Sequence, residues 1–263
     1  RGSYGERVYE IDAMGKLVQS LSITKPLKGS DLHTNLDIEA QKSAAKFLGN
    51  RRGAVVAIDL DSGGINVLYS SPTYSINQLS NGMNEDDFQI LINDPNKPFF
   101  NRALKGRYPP ASTIKPAIGM YGVSNNIVNW DFEMKDPGFF TLPETGRVFR
   151  GWRKGGHGKV NMHKAFLVSS NTYFFSLAYQ ADIEELSSHL TSLGFGQKVC
   201  LDCFDEDQAL VPTPEWKYSI MNAGWVKGDT VNLGVGQGYL LATPMQLANY
   251  ASLLAKKGAF NEP

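Results

Sequence analysis

Residues 112–123 carry Ile114, Ala117, Ile118, Met120, Tyr121 and Val123 with almost nothing polar between them. Wound as a helix, this run is apolar on nearly every side, and such a helix is stable only when buried. The rest of the chain therefore has to wrap around it. Pro116 falls in the first turn, where its missing N–H costs little. Pro109 and Pro110 make a rigid turn just ahead, so Ser112 and Lys115 stand at the mouth of the buried helix. Three residues apart, the two share a helix face, and hydroxyl and amine can meet. A serine hydroxyl is a weak nucleophile near neutral pH until a base takes its proton. A desolvated lysine, kept partly neutral by its pocket, can be that base.

The pattern S-x-x-K is weak alone and occurs at Ser22–Lys25, Ser43–Lys46 and Ser112–Lys115. Ser22 lies in extended sequence, where positions three apart point to opposite faces. Ser43 and Lys46 lie on an amphipathic helix, with Lys46 in water and unable to shed its proton. Only Ser112 opens an apolar helix. Its plain alternative, a helix cap, stays open on this context. A second element adds weight to the nucleophile. Ser169-Ser170-Asn171 ends a helix and precedes an aromatic segment, Tyr173 to Tyr179, that reads as core. Ser169 and Asn171 would face one side of a cleft, where a hydroxyl can relay a proton and an amide can hold Lys115 and a substrate carbonyl.

The order of elements predicts an α+β domain. Residues 1–30 read as a hairpin and linker around Met14-Gly15-Lys16. A helix over 37–48 has Ile38, Ala40, Ala44 and Phe47 as its apolar positions. Strands over 53–60 and 65–70 are joined by Asp61-Ser62-Gly63-Gly64. Residues 71–107 are polar and irregular, with one short helix near 86–92. Helices follow the buried run: one capped by Asn161 and running to Val168, one over 183–193 closed by Gly194, and one opened by Thr243-Pro244.

Charge is balanced, with 26 Lys plus Arg against 26 Asp plus Glu in 263 residues, which gives no support for nucleic acid as a partner. No apolar run approaches the roughly 20 residues of a membrane helix, and no secretory signal opens the chain. Cys200 and Cys203 form one C-x-x-C, read as loop cysteines rather than a metal or redox site, with a local disulfide open. Gly234-Val235-Gly236-Gln237-Gly238 lacks the strand–loop–helix unit of a phosphate loop and reads as tight turns beside the cleft.

S-x-x-K is a signature of penicillin-binding proteins and related β-lactamases. The likeness here is wider. Ile92-Asn93-Asp94-Pro95-Asn96, Asn101-Arg102-Ala103, the run from Tyr108 to Pro116, Asp136-Pro137-Gly138, Gly156-His157-Gly158, Gly228-Asp229-Thr230 and the run from Gly234 to Tyr239 leading into Ala242-Thr243-Pro244 resemble the elongation-type class B penicillin-binding protein 2 family, in order and over nearly the whole chain. The resemblance implies a transpeptidase fold of the serine β-lactamase type, an antiparallel sheet with helices. It implies a peptidoglycan D,D-transpeptidase that cross-links stem peptides through a serine acyl-enzyme and is blocked by β-lactams. Ser112 is then the nucleophile, Lys115 the base, Ser169 the proton relay and Asn171 the positioning amide. Ser112, Asn171, Gln237 and Gly238 line the substrate site. Implied partners are a membrane glycan polymerase and elongation-complex proteins, at the periplasmic face of the bacterial inner membrane. No cofactor is expected.

The sequence also departs from the family. No Lys-(Ser/Thr)-Gly tripeptide, the third motif, occurs in the chain, and Lys227-Gly228-Asp229-Thr230 has the wrong order. The chain is expected to be a piece of a longer protein: residues 1–30 the stub of a pedestal domain and linker, residues 31–263 a transpeptidase domain stopping before the third-motif strand, with the membrane anchor outside it. Some family members hold a metal near the cleft. Asp136 and His157 match two of its ligand positions, while the other two read Gly151 and Ser170, so a hydrogen-bonded structural role is expected for His157. Two other readings remain open. One is a serine β-lactamase or carboxypeptidase, for which no well-placed Glu follows Asn171. The other is a non-catalytic β-lactam sensor or scaffold of the same fold.

Overall fold

A computed structural model of the chain describes residues 2–259 and 263. They form two compact units, Arg1–Asn35 and Leu36–Pro263. In the first, β1 (Glu6–Ile11) and β2 (Leu17–Thr24) pair antiparallel. Asp12 Oδ1 accepts the N–H groups of Met14 and Lys16 and so shapes the turn between them. The unit runs past residue 30 to Asn35.

The second unit opens with α1 (Ile38–Leu48), whose N-terminal N–H groups are taken up by the Asp37 carboxylate. Here the expected apolar face is displaced. Ala44 is buried, but Ile38 and Phe47 are 64% and 78% exposed. Gln41 explains the rotation: its amide donates to Leu68 O at 3.2 Å and accepts from Leu68 N at 2.9 Å. This two-point bond to a strand backbone turns Gln41 and Ala44 inward and leaves Phe47 outside.

β3 (Gly53–Ile58) and β4 (Ile65–Ser71) form the next antiparallel pair. Asp59, just ahead of the expected turn residues, shapes the turn by accepting from the N–H groups of Asp61 and Ser62. The polar stretch that follows holds more helix than expected: α2 (Ile76–Ser80), α3 (Glu85–Asn93) and α4 (Arg102–Lys105). Arg102 is buried, and its guanidinium donates to the carbonyls of Asn96, Lys97 and Phe100, which pins the loop before α4.

The apolar run begins as a 3-10 turn (Ala111–Ile114) and continues as α5 (Lys115–Ser124). Four short strands come next: β5 (Glu133–Asp136), β6 (Phe139–Thr141), β7 (Val148–Arg150) and β8 (Gly158–Asn161). β5 pairs with β8 and β6 with β7, both antiparallel. Antiparallel pairing is thus present, as separate two-stranded pairs among the described residues. The remaining helices are α6 (Met162–Leu167), α7 (Asn171–Gln180), α8 (Ile183–Ser192), α9 (Pro214–Met221), α10 (Lys227–Leu233) and α11 (Pro244–Ala255).

The core forms around α5. Ile114, Ala117, Ile118 and Tyr121 meet Phe174 and Leu177 of α7 and Leu186 and Leu190 of α8, all at most 2% exposed. Each buried Ile, Leu and Phe side chain here contributes about 1.5–3 kcal/mol by leaving water, so this cluster fixes where α5 lies. Leu104, Val199, Cys200 and Met245 make a second cluster, beside Val56 and Leu68 of the β3–β4 pair. Among the described residues, no helix is long and apolar enough to cross a membrane.

Candidate active site

Ser112 lies inside the 3-10 turn, not at a cap position. In a 3-10 turn residues three apart eclipse, so the turn keeps Ser112 and Lys115 on one side. Backbone bonds fix its position. Tyr108 and Ala242 exchange N–H···O bonds of 2.9 and 2.8 Å, and Ala111 N donates to Gly236 O at 2.9 Å. Ala111 adopts φ +50°, a left-handed conformation an L-residue rarely takes. Gly236, at φ +68°, has to be glycine, because a Cβ there would stand 2.2 Å from Ala111 O. Gln237 and Gly238 follow directly, with Gly238 at φ +76°; both are exposed.

Beneath the exposed Ser112, Lys115 is 2% exposed. Its Nζ donates to Asn171 Oδ1 at 2.7 Å, Ser169 O at 2.9 Å and Ser169 Oγ at 3.0 Å, and lies 5.4 Å from the centre of the Phe174 ring. Burial lowers its pKa to about 8. Ser169 Oγ in turn donates to Ser112 Oγ at 3.1 Å. A continuous hydroxyl–hydroxyl–amine path therefore leads from solvent to a lysine that loses its proton more readily than a solvated one.

The chain reaches this geometry by a helix corner. After α6, Ser169 sits at φ +50° in the left-handed position that ends many helices. Its N–H bonds to Phe166 O at 3.1 Å, and Ser170 N bonds to Ala165 O at 2.9 Å, the two bonds of a Schellman motif. Ser170 then caps α7, its Oγ accepting from Tyr173 N at 3.2 Å. The corner turns Ser169 and the first residue of α7, Asn171, toward Lys115. Trp152 braces it from outside, donating Nε1–H to Val168 O at 3.1 Å. The sequence carries no signal for the left-handed Ala111 or for the Trp152 brace, because both arise from contacts with distant backbone.

Behind the corner, Asp136 is 2% exposed. Its Oδ2 lies 2.8 Å from His157 Nδ1 and accepts from Ser170 Oγ at 2.7 Å; its Oδ1 accepts from Gly138 N at 2.7 Å. Burial opposes the charge, but the bonds from His157, Ser170 and Gly138 outweigh it and hold the Asp136 pKa below the usual range. The acceptor is thus a carboxylate, and His157 carries its proton on Nδ1. Gly156, at φ +73°, lets the loop pass: a Cβ there would stand 2.1 Å from Asp136 O.

Two places bear on metal binding. Cys200, Asp202 and Cys203 bring their ligand atoms within 4.8 Å of one another, but the cysteines are joined in a disulfide and offer no thiolate. Around Asp136 and His157, the described residues add no third His, Cys, Asp or Glu ligand.

An exposed serine linked to a buried lysine, on a helical core flanked by antiparallel strands, is the arrangement of the penicillin-recognising acyltransferases. Residues 53–263 match the penicillin binding protein transpeptidase domain, and the chain belongs to that family. It is 41% identical, over its whole length, to the peptidoglycan D,D-transpeptidase MrdA of Acinetobacter baumannii, of which it covers 39%. The chain thus spans about two fifths of the length of that curated relative. Among solved structures it is similar to Pseudomonas aeruginosa PBP2 in complex with WCK 5153, with a TM-score of 0.87 and 38% identity over 91% of this chain and 52% of that one. It is also similar to Helicobacter pylori PBP2 in complex with MreC, with a TM-score of 0.86 and 33% identity over 100% of this chain and 48% of that one.

Proposed function

We propose that this chain carries the acylation site of a peptidoglycan D,D-transpeptidase. The observation that supports it most is the linked set Ser112 Oγ, Ser169 Oγ and Lys115 Nζ, with Asn171 fixing the amine. In this reading Ser112 Oγ attacks the penultimate D-alanine carbonyl of a stem peptide. Its proton passes through Ser169 to neutral Lys115. The tetrahedral adduct then expels the terminal D-alanine, whose amine takes back the proton along the same path. An amine of a second stem peptide attacks the ester and restores Ser112. The Ser112 N–H supplies one donor to the oxyanion, a contribution usually large in acyl transfer. Gln237 and Gly238 line the substrate beside Ser112, an assignment favoured by the Ala111–Gly236 bond that brings their loop to the nucleophile.

A β-lactam imitates the D-alanyl-D-alanine end and leaves Ser112 acylated. By likeness to the relatives, the whole protein works at the periplasmic face of the inner membrane with a glycan polymerase and elongation-complex proteins. The first unit belongs to a pedestal domain, and the second is the transpeptidase domain. Intact-mass measurement after exposure to a labelled penicillin tests the site. One stable adduct, lost in Ser112→Ala, is expected. Rapid release of hydrolysed drug would indicate a β-lactamase instead, and an unmodified chain would indicate a scaffold.

A further inference from the structure

Ser170 lies between the two residues that grip Lys115, yet its own hydroxyl bonds away from the cleft, to Asp136. Asp136 is held there by His157 and by the Gly138 N–H, and the side chains of His157 and Asp136 are 4% and 2% exposed. Some family members place a metal at this spot, and the residues present here do not suit one. Position 151 is glycine and supplies no ligand atom. Ser170 uses its hydrogen on Asp136. Both Asp136 oxygens already accept hydrogen bonds, from Gly138, His157 and Ser170. His157 Nε2 and, beside the cluster, Thr172 Oγ1 are buried without a hydrogen-bond partner. A structural zinc takes four donors from Cys, His, Asp or Glu; one free imidazole nitrogen beside a neutral threonine hydroxyl falls far short.

We infer that in this chain a metal-free cluster, Asp136–His157–Ser170, performs the bracing a metal would provide, and that it positions Ser169 and Asn171 for acylation. The mechanical link is short. Ser170 Oγ accepts from Tyr173 N and donates to Asp136, so one hydroxyl ties the start of α7 to the end of β5. Any slack there would move Ser169 and Asn171, its direct neighbours in the chain. Such displacements, even of about 1 Å, cost on the order of 100-fold in rate.

The site also shows what would convert it. A Cβ at residue 151 would meet Gly138 O at 3.2 Å and Thr172 Oγ1 at 3.5 Å, so a side chain there borders the cluster and requires the Gly138 carbonyl to give by a few tenths of an ångström. Gly151→Asp with Ser170→Cys would supply a second carboxylate and a thiolate beside Asp136 and His157.

Elemental analysis and thermal melting with zinc or with a chelator test the inference, and neither depends on the proposed function. The unaltered protein is expected to contain well under one metal ion per chain and to melt at the same temperature in either condition. The double variant is expected to take up one zinc and to lose several degrees of its melting temperature when zinc is removed. A stoichiometric metal in the unaltered protein would overturn the inference. The positioning arm rests on the proposed function. Ser170→Ala is expected to lower the saturating penicillin acylation rate at least tenfold while leaving the half-saturating concentration within twofold. Acylation of Ser170→Ala at the unaltered rate would refute the positioning role whatever the metal content.

Discussion

Lys115 can accept a proton only in its neutral form, and burial brings its pKa to about 8, well below the 10.5 of a solvated lysine. The sign follows directly. Below pH 8 most of the amine is protonated and the rate should climb about tenfold per pH unit; above it the rate should level. Penicillin acylation measured from pH 6 to 9.5 is therefore expected to show a single ascending limb with its midpoint near 8. Lys115→Arg keeps the positive charge but cannot deprotonate, and should lose at least about 100-fold. A flat profile would remove Lys115 as the base. The backbone under Ser112 makes a separate prediction. In Gly236→Ala the new methyl meets Ala111 O, and the neighbouring turn has to shift. A destabilisation of about 2–3 kcal/mol in denaturant melts is expected, together with slower acylation. Ser112 and Lys115 stand out in the sequence as polar residues at the mouth of an apolar run, and Ser169 and Asn171 as a polar corner ahead of an aromatic one. The left-handed Ala111 is not, since an alanine carries no mark of the backbone contact that holds it.

At the scale of elements, local chemistry marks the helices with strong caps and leaves the others faint. Thr243-Pro244 opens α11 and is readable from sequence. Thr213-Pro214 opens α9 with the same signature, but Tyr218, Ile220 and Met221 stay exposed, so no buried stripe confirms that helix. What holds α9 and α10 together is an ion pair that sequence spacing does not announce. Lys217 Nζ lies 2.6 Å from Asp229 Oδ2 and also donates to Gly224 O at 2.8 Å, with both side chains mostly buried. Asp229 in addition accepts from Val226 N at the start of α10. Removing one partner leaves the other charge buried alone, so Asp229→Ala should cost about 3–5 kcal/mol. Lys217→Met combined with Asp229→Leu should recover most of that loss. Urea unfolding of the single and double variants measures both, and a single variant as stable as the parent would refute the account. The rotation of α1 makes a similar point: hydropathy places Phe47 inward, whereas Gln41 bonding to Leu68 decides the facing.

For the molecule as a whole, class and core were accessible because a helix apolar on all sides admits few folds, and the motif order narrowed them to one family. What the local pattern does not reveal at this scale is the wall of the cleft opposite Ser112. The proposed nucleophile, base and relay meet within this chain, whereas the family resemblance implies a clamp for the substrate carboxylate and a second oxyanion donor on a Lys-(Ser/Thr)-Gly strand, and no such tripeptide occurs in these 263 residues. Loss of one oxyanion donor alone slows acyl transfer about 100- to 1,000-fold. The two contributions separate experimentally. If the Ser112–Ser169–Lys115 set is self-contained, a labelled penicillin should still modify Ser112 and nothing else. If the strand matters as argued, the second-order acylation constant of this chain should fall at least about 100-fold below that of the full-length Acinetobacter baumannii relative measured alongside. Equal constants would show that the three linked groups suffice without the clamp, whereas labelling away from Ser112 would show that the nucleophile has been misassigned.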